Sequence, residues 1–192
     1  MGNKNKRTLP GITKAIFLAI AEIARVGAIA FSRRSLLEKE ILIEYGYLPW
    51  QINSTLRRFE RSGYMTAAPD NKLKLSPKGQ TQAARYTIED IQAPPRPDSW
   101  DWKWRILIFD IPEQKKWARE MMRGKLREWH FALLQRSVYI SPFDCVAEFE
   151  ELLAILRLNP YVHIILAESI SASLERHFIS HFKLSEFFEK ET

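Results

Sequence analysis

Three prolines in four positions, Pro94, Pro95 and Pro97, interrupt this chain near its midpoint. Proline donates no backbone hydrogen bond and steers the residue before it away from helix, so neither a helix nor a central strand runs through residues 93–98. The fold must therefore be assembled from two pieces, each with its own core. With 192 residues and 46% hydrophobic content, the chain has enough apolar surface for two modest cores. The pieces differ in charge. Residues 1–93 carry fifteen Lys/Arg against eight Asp/Glu and residues 94–192 fourteen against fifteen, so the net +6 divides as +7 and −1. A basic half beside a near-neutral one points to a polyanionic partner for the first piece.

Several classes are excluded. The longest apolar run, Ala15 to Ala21, ends at Glu22, far short of the roughly 20 residues a bilayer span needs. The positive start, Met1 to Arg7, leads into an amphipathic segment rather than a signal-type cleavage site, so a cytoplasmic protein is expected. The single cysteine, Cys145, allows neither an intrachain disulfide framework nor a multi-cysteine zinc site and reads as an ordinary helix residue.

In the first half, Ile12, Ile16, Ile20 and Ile23 repeat at helical spacing and predict a helix over 12–26. Ser32 is placed to cap a second helix reaching about Tyr45. Gly46-Tyr47-Leu48-Pro49 breaks it and opens a third with proline in the first turn, ending at Ser62-Gly63. Tyr64–Ala68 and Lys72–Leu75 then flank Pro69-Asp70-Asn71 as a short hairpin. Three helices and a hairpin are the element order of a winged helix-turn-helix domain, expected over 1–92.

A helical wheel of the third helix separates Ile52, Leu56 and Phe59 from Trp50, Ser54, Arg57, Arg58 and Arg61. One side packs. The other presents planar guanidinium forks suited to guanine or phosphate, and a small adaptable hydroxyl. In the hairpin, Lys72 and Lys74 alternate with Leu73 and Leu75 and leave on the outer face, within reach of phosphate. Double-stranded DNA is the expected partner.

After a Pro/Trp linker over 93–103, Trp104–Ile111 reads as a strand, Glu113–Trp129 as a helix, Asp144–Leu158 as a helix and Val162–Ala167 as a strand. Phe131–Ser141 should hold two strands, yet no Gly, Pro or Asn marks a turn between them, which leaves one long bent strand as the alternative. The order implies a ferredoxin-like βαββαβ domain over 104–170, with one helical tail over 171–192. The fold class is α+β. Both faces of the two flanking strands are mostly apolar, which predicts cover from the tail's Leu174, Phe178, Phe182, Phe187 and Phe188 and from a second subunit, hence a homodimer.

The segment Leu56-Arg57-Arg58-Phe59-Glu60-Arg61-Ser62-Gly63-Tyr64, followed by Leu75-Ser76-Pro77-Lys78-Gly79, resembles many bacterial winged-helix regulators. Trp102-Lys103-Trp104-Arg105-Ile106-Leu107-Ile108-Phe109-Asp110-Ile111-Pro112-Glu113, with Leu134-Gln135-Arg136-Ser137-Val138-Tyr139-Ile140-Ser141-Pro142, resembles the central domain of the PaaX family, repressors of phenylacetic acid degradation operons. The resemblance covers most of 10–170. It implies a dimeric, operator-binding repressor answering to an acyl-coenzyme A effector, phenylacetyl-coenzyme A. Only about two dozen residues follow the last strand, so no counterpart of the family's usual C-terminal domain is expected in this sequence.

The same central region is similar to the small ferredoxin-like CRISPR-associated endonuclease of spacer acquisition. That resemblance implies a metal-dependent nuclease in which Asp110 and its mate across a dimer hold Mg2+. The residues themselves favour a structural role, with Asp110 capping a helix that begins at Pro112 and Glu113 completing the pair. His177 and His181 share one helix face at metal-ligand spacing but have no cysteine beside them, and an exposed stripe is the expectation. Lys115, Lys116, Arg119, Arg123, Lys125 and Arg127 surround the helix 113–129, which either extends the DNA footprint or meets an acidic partner: residues 144–192 hold nine acids against four bases.

Overall fold

A computed structural model of the chain describes residues 11–25, 30–37, 39, 42–43, 45–93, 96 and 99–188. The basic N-terminus and the three central prolines lie outside them. The chain divides into two compact units, residues 1–90 and 91–192.

In the first unit, α1 (Ile12–Arg25) buries Ile16, Ile20 and Ile23 of the expected stripe, with Phe17 buried beside them and Ile12 half-buried. Ser32 caps α2 (Arg33–Leu37): its Oγ accepts the Ser35 N–H at 3.0 Å. A further helical turn at Leu42–Ile43 follows; positions 38, 40, 41 and 44 of the expected second helix lie outside the described residues. α3 (Pro49–Arg61) opens on proline as expected, with Gln51 Oε1 accepting the Leu48 N–H at 2.9 Å. It stops at Gly63, whose φ of +73° is left-handed. There the Gly63 N–H donates to Glu60 O at 3.1 Å and the Tyr64 N–H to Phe59 O at 2.9 Å. The Tyr64 ring returns to within 5.8 Å of Phe59, so orphan carbonyls and an apolar contact close the helix together.

β1 (Met65–Ala68) and β2 (Lys72–Leu75) form the hairpin, with Met65 opposite Leu75 and Ala68 opposite Lys72. Asp70 and Asn71 turn it at φ of 58° and 54°, a region short Asp and Asn side chains tolerate. Phe31 pairs with Leu73 through two 2.9 Å hydrogen bonds and ties the segment after α1 to the hairpin. An element without a sequence-based expectation follows, α4 (Pro77–Asp90), packed on α1 with Lys14 2.8 Å from Asp90. Its buried positions are Gly79, Ala83 and Ile88, too thin a stripe to stand out by periodicity. Gly79 is required there, since a Cβ would lie 2.0 Å from the Tyr64 carbonyl oxygen.

The second unit runs β3 (Trp104–Phe109), a 3-10 turn at Glu113–Lys115, α5 (Lys116–Glu128), β4 (Ala132–Gln135), β5 (Val138–Ser141), α6 (Val146–Leu156) and β6 (Val162–Ala167). The sheet order is β4-β5-β3-β6 with all neighbours antiparallel. Phe131–Ser141 does hold two strands, joined at Arg136-Ser137 with an irregularity between Leu133 and Gln135. Neither turn residue takes a positive φ, which is why no glycine or asparagine marks it. Period-2 alternation divides β3. Leu107 and Phe109 face the helices, where Leu107 and Phe149 of α6 line one small cavity and Arg123 of α5 lies over the Phe109 ring at 5.5 Å.

The opposite face carries Trp104, Ala132 and Ile140 and is covered at that end by Phe178, Phe182, Leu184 and Phe187. The expected single tail helix is in fact two, α7 (Ala172–His181) and α8 (Ser185–Phe188). Lys183 at φ 54° breaks it, while the Leu184 N–H donates to Ile179 O at 2.9 Å, turning Phe187 back into the core. Trp100 is buried beside Trp104, and Trp102 stacks on Phe188 with centroids 5.0 Å apart.

Candidate nucleic-acid interface

Because α3 packs through Ile52, Leu56 and Phe59, the positions between them turn outward. Trp50, 66% exposed, stands in the first turn, and Ser54, Arg57, Arg58 and Arg61 continue the exposed stripe. The one acid of α3, Glu60, is drawn aside: both its carboxylate oxygens accept from Arg33 at 3.0 and 3.1 Å. No carboxylate therefore neutralises the arginine stripe among the described residues.

Hydrogen bonding sorts these side chains. Arg58 donates to the Thr13 hydroxyl of α1 at 2.7 Å, and Arg61 Nε reaches the Arg57 carbonyl at 3.4 Å. Ser54 Oγ donates back to Gln51 O at 2.9 Å and keeps its lone pairs free to accept. The Arg57 guanidinium has no bond among the described residues. On the hairpin, Leu73 is buried while Lys72 and Lys74 are exposed, with Asp70 4.0 Å from Lys72. Asn53 belongs to the same face and is missing from the wheel reading; its spacing, three residues past Trp50, was the available signal. Lys78 is close by, but its ammonium donates to Ser62 O at 3.0 Å and sits 4.4 Å over the Tyr64 ring, holding the end of α3.

The basic helix of the second unit is arranged differently. Arg119 pairs with Glu113 at 2.9 Å, Arg123 with Glu120 at 3.3 Å and buried Lys125 with Glu128 at 3.0 Å. The hydrogen bond from Arg119 holds the exposed Glu113 carboxyl below its ordinary range. Lys115 donates to Arg157 O at 3.2 Å.

Asp110 does not cap a helix. The residue at the start of the 3-10 turn is Pro112, without a side-chain cap, and Glu113 is engaged by Arg119 instead. Proline at that position places Asp110 two residues too early for its carboxylate to reach the turn's free N–H groups. Asp110 is exposed at the end of β3 and gathers no further carboxylate, so within one chain the donor set does not fit a magnesium ion. His177 and His181 stack with ring centroids 6.2 Å apart. Among the described residues no group of three His, Cys, Asp or Glu could hold a metal. Cys145 lies just before α6 rather than inside it, and burial, with Asp144 and Glu148 nearby, pushes its thiol up to about 12. Arg105, 4% exposed, is clamped by Asp101 at 2.6 Å and by Pro142 O at 3.0 Å. A cleft of about 660 Å³ in this unit is lined by Arg96, Trp129, His130, Phe143, His181 and Lys183, among others.

Residues 97–179 match the family model of the PaaX protein central Cas2-like domain. The matched stretch lies within the second unit. No curated protein matches the chain. Among solved structures, the uncharacterized protein Rv0674 from Mycobacterium tuberculosis matches at 17% identity and a TM-score of 0.31, covering 84% of this chain. The chain spans 64% of that protein's length. Among the described residues, no helix is long and apolar enough to cross a membrane.

Proposed function

We propose that the chain is a cytoplasmic, sequence-specific DNA-binding transcriptional regulator acting as a dimeric repressor. In this reading the first unit is a winged helix-turn-helix that sets α3 in the major groove and Lys72 and Lys74 against phosphates. The second unit, a ferredoxin-like domain, joins two copies. The observation that carries the reading is the exposed stripe of α3, Trp50, Ser54, Arg57, Arg58 and Arg61, with its one acid turned away to Arg33. Such a surface attracts a polyanion and offers base-edge donors on the same face. The central-domain match supports a regulator of the PaaX kind.

Dimerisation draws support from the sheet of the second unit. The tail helices cover the Trp104 end, while Ile108 and Ile165, on the same face, remain 38% and 46% exposed. A two-fold partner would bury them and set two α3 helices on paired half-sites. An acyl-coenzyme A effector would find cations and aromatic rings together in the cleft beside Arg96 and Lys183. No cofactor is assigned, and the lone Asp110 supports no nuclease step.

The test is a titration of fluorescent duplex with the full chain at several salt concentrations, paired with light scattering. Salt-dependent binding by a dimer that weakens for Lys72→Ala and Lys74→Ala is expected. Affinity unchanged across salt concentrations would remove the phosphate contacts and the reading with them. Incubation with DNA and Mg2+ should leave the DNA intact; cleavage abolished by Asp110→Ala would make the chain a nuclease instead.

A further inference from the structure

On the outer side of α3, a carboxamide and a guanidinium stand unengaged among the described residues. Asn53 is half-buried and Arg57 exposed, and neither makes a side-chain hydrogen bond among the described residues. Their neighbours are already engaged: Gln51 by Leu48, Ser54 by Gln51 and Arg58 by Thr13. We infer that Asn53 and Arg57 read two base pairs in the major groove, Asn53 an adenine and Arg57 a guanine, about two base steps apart. The inference rests on α3 being the DNA-reading helix.

The assignment follows from functional-group geometry. A carboxamide offers one donor and one acceptor side by side, matching N6–H and N7 of adenine, whereas a guanidinium offers two parallel donors, matching O6 and N7 of guanine. Residues 53 and 57 are one turn apart on one face, and four residues rise about 6 Å along a helix. Base pairs stack about 3.4 Å apart, so a helix lying in the groove presents these two side chains to positions nearly two steps apart. Glu60, next on that side of the helix, would repel phosphate but is held by Arg33.

The experiment is selection of bound duplexes from a randomised pool by the full chain and by N53A, R57A and R57Q, with melting curves to check folding. Wild type should enrich a core with adenine and guanine two steps apart. N53A should flatten the adenine position and R57A the guanine position, each weakening the selected site by about 5- to 140-fold with less effect on unselected DNA. R57Q should exchange guanine for adenine at its position, a gain that an unfolded protein cannot produce. An enriched core that persists unchanged in N53A and R57A would overturn the inference, as would an R57A loss equal on all sequences, the mark of a phosphate contact. Either result leaves DNA binding by α3 standing. A wild type that binds no duplex at any salt concentration would refute the reading of α3 itself, and this assignment with it.

Discussion

α3 and α5 are both thirteen residues long, and the more cationic of the two presents the weaker claim to a polyanion. α5 carries five Lys/Arg between Lys116 and Arg127, α3 only Arg57, Arg58 and Arg61. Around α5 the acids stand beside the bases, so Glu113 of the preceding turn and Glu120 and Glu128 of the helix each take a cation within 4.0 Å. On α3 the acid is removed sideways by a neighbouring helix. Exposed pairs of the α5 kind contribute little to stability, but they cancel the field a phosphate would feel. The difference teaches that a nucleic-acid face is made by where the acids are held, and a count of cations does not reveal it.

The largest effect should come from breaking that contrast directly. Replacing Arg57, Arg58 and Arg61 together with alanine is expected to weaken duplex binding on the order of 100-fold. Removing the exposed Lys116 and Arg127 of α5 should change it by only a few-fold, both read by fluorescence anisotropy at one salt concentration. Equal losses would erase the distinction between the helices.

Two helix glycines, Gly79 in α4 and Gly124 in α5, meet opposite surroundings, which orders two further expectations. Gly79→Ala drives a Cβ into the Tyr64 carbonyl and should lower the stability of the first unit by about 3 kcal/mol. Gly124→Ala, inside α5 with nothing within 4 Å of the added carbon, should raise that of the second unit by about 0.5–1 kcal/mol. Amide hydrogen exchange assigns each change to its unit, and destabilisation by both would mean α5 is more crowded than its surroundings indicate.

Between these in size lies the Arg105 clamp. Asp101→Asn should cost the second unit about 1 kcal/mol, since the carboxylate is 48% exposed and solvent screens its hydrogen bond to the buried guanidinium. The Arg105 hydrogen bond holds the Asp101 carboxyl below its ordinary range. Its contribution is therefore present above the unfolded value near pH 4 and is lost as pH falls through the depressed one. Urea midpoints between pH 5 and 2 should fall less steeply for the asparagine variant, and parallel profiles would remove the clamp from the acid response.

Elements with dense apolar periodicity were legible in the amino-acid order, among them α1, α3, β3 and β6. Those that depend on one backbone angle were not. Lys183 adopts a left-handed conformation that its residue type does not advertise, so α7 and α8 read as one helix. The Arg136-Ser137 turn uses ordinary angles and needs no marker residue. α4 escaped because the glycine that lets it approach Tyr64 carries no apolar side chain. For the candidate interface, spacing alone put Trp50, Ser54, Arg57, Arg58 and Arg61 on one face. It could not show that Thr13 from α1 holds Arg58, or that Arg33 from α2 removes Glu60, since both partners arrive through tertiary packing. The Asp110 cap failed for a related reason: the residue types suit a capping box, but the chain enters the helix at Pro112.

The double hydrogen bond between Phe31 and Leu73 has a kinetic meaning. A hairpin anchored at its middle to the body of its domain has lost its freedom during folding, not at the moment of contact. A partner that meets α3 and the hairpin together meets a hairpin already tied to its domain, so less ordering is left to the moment of contact.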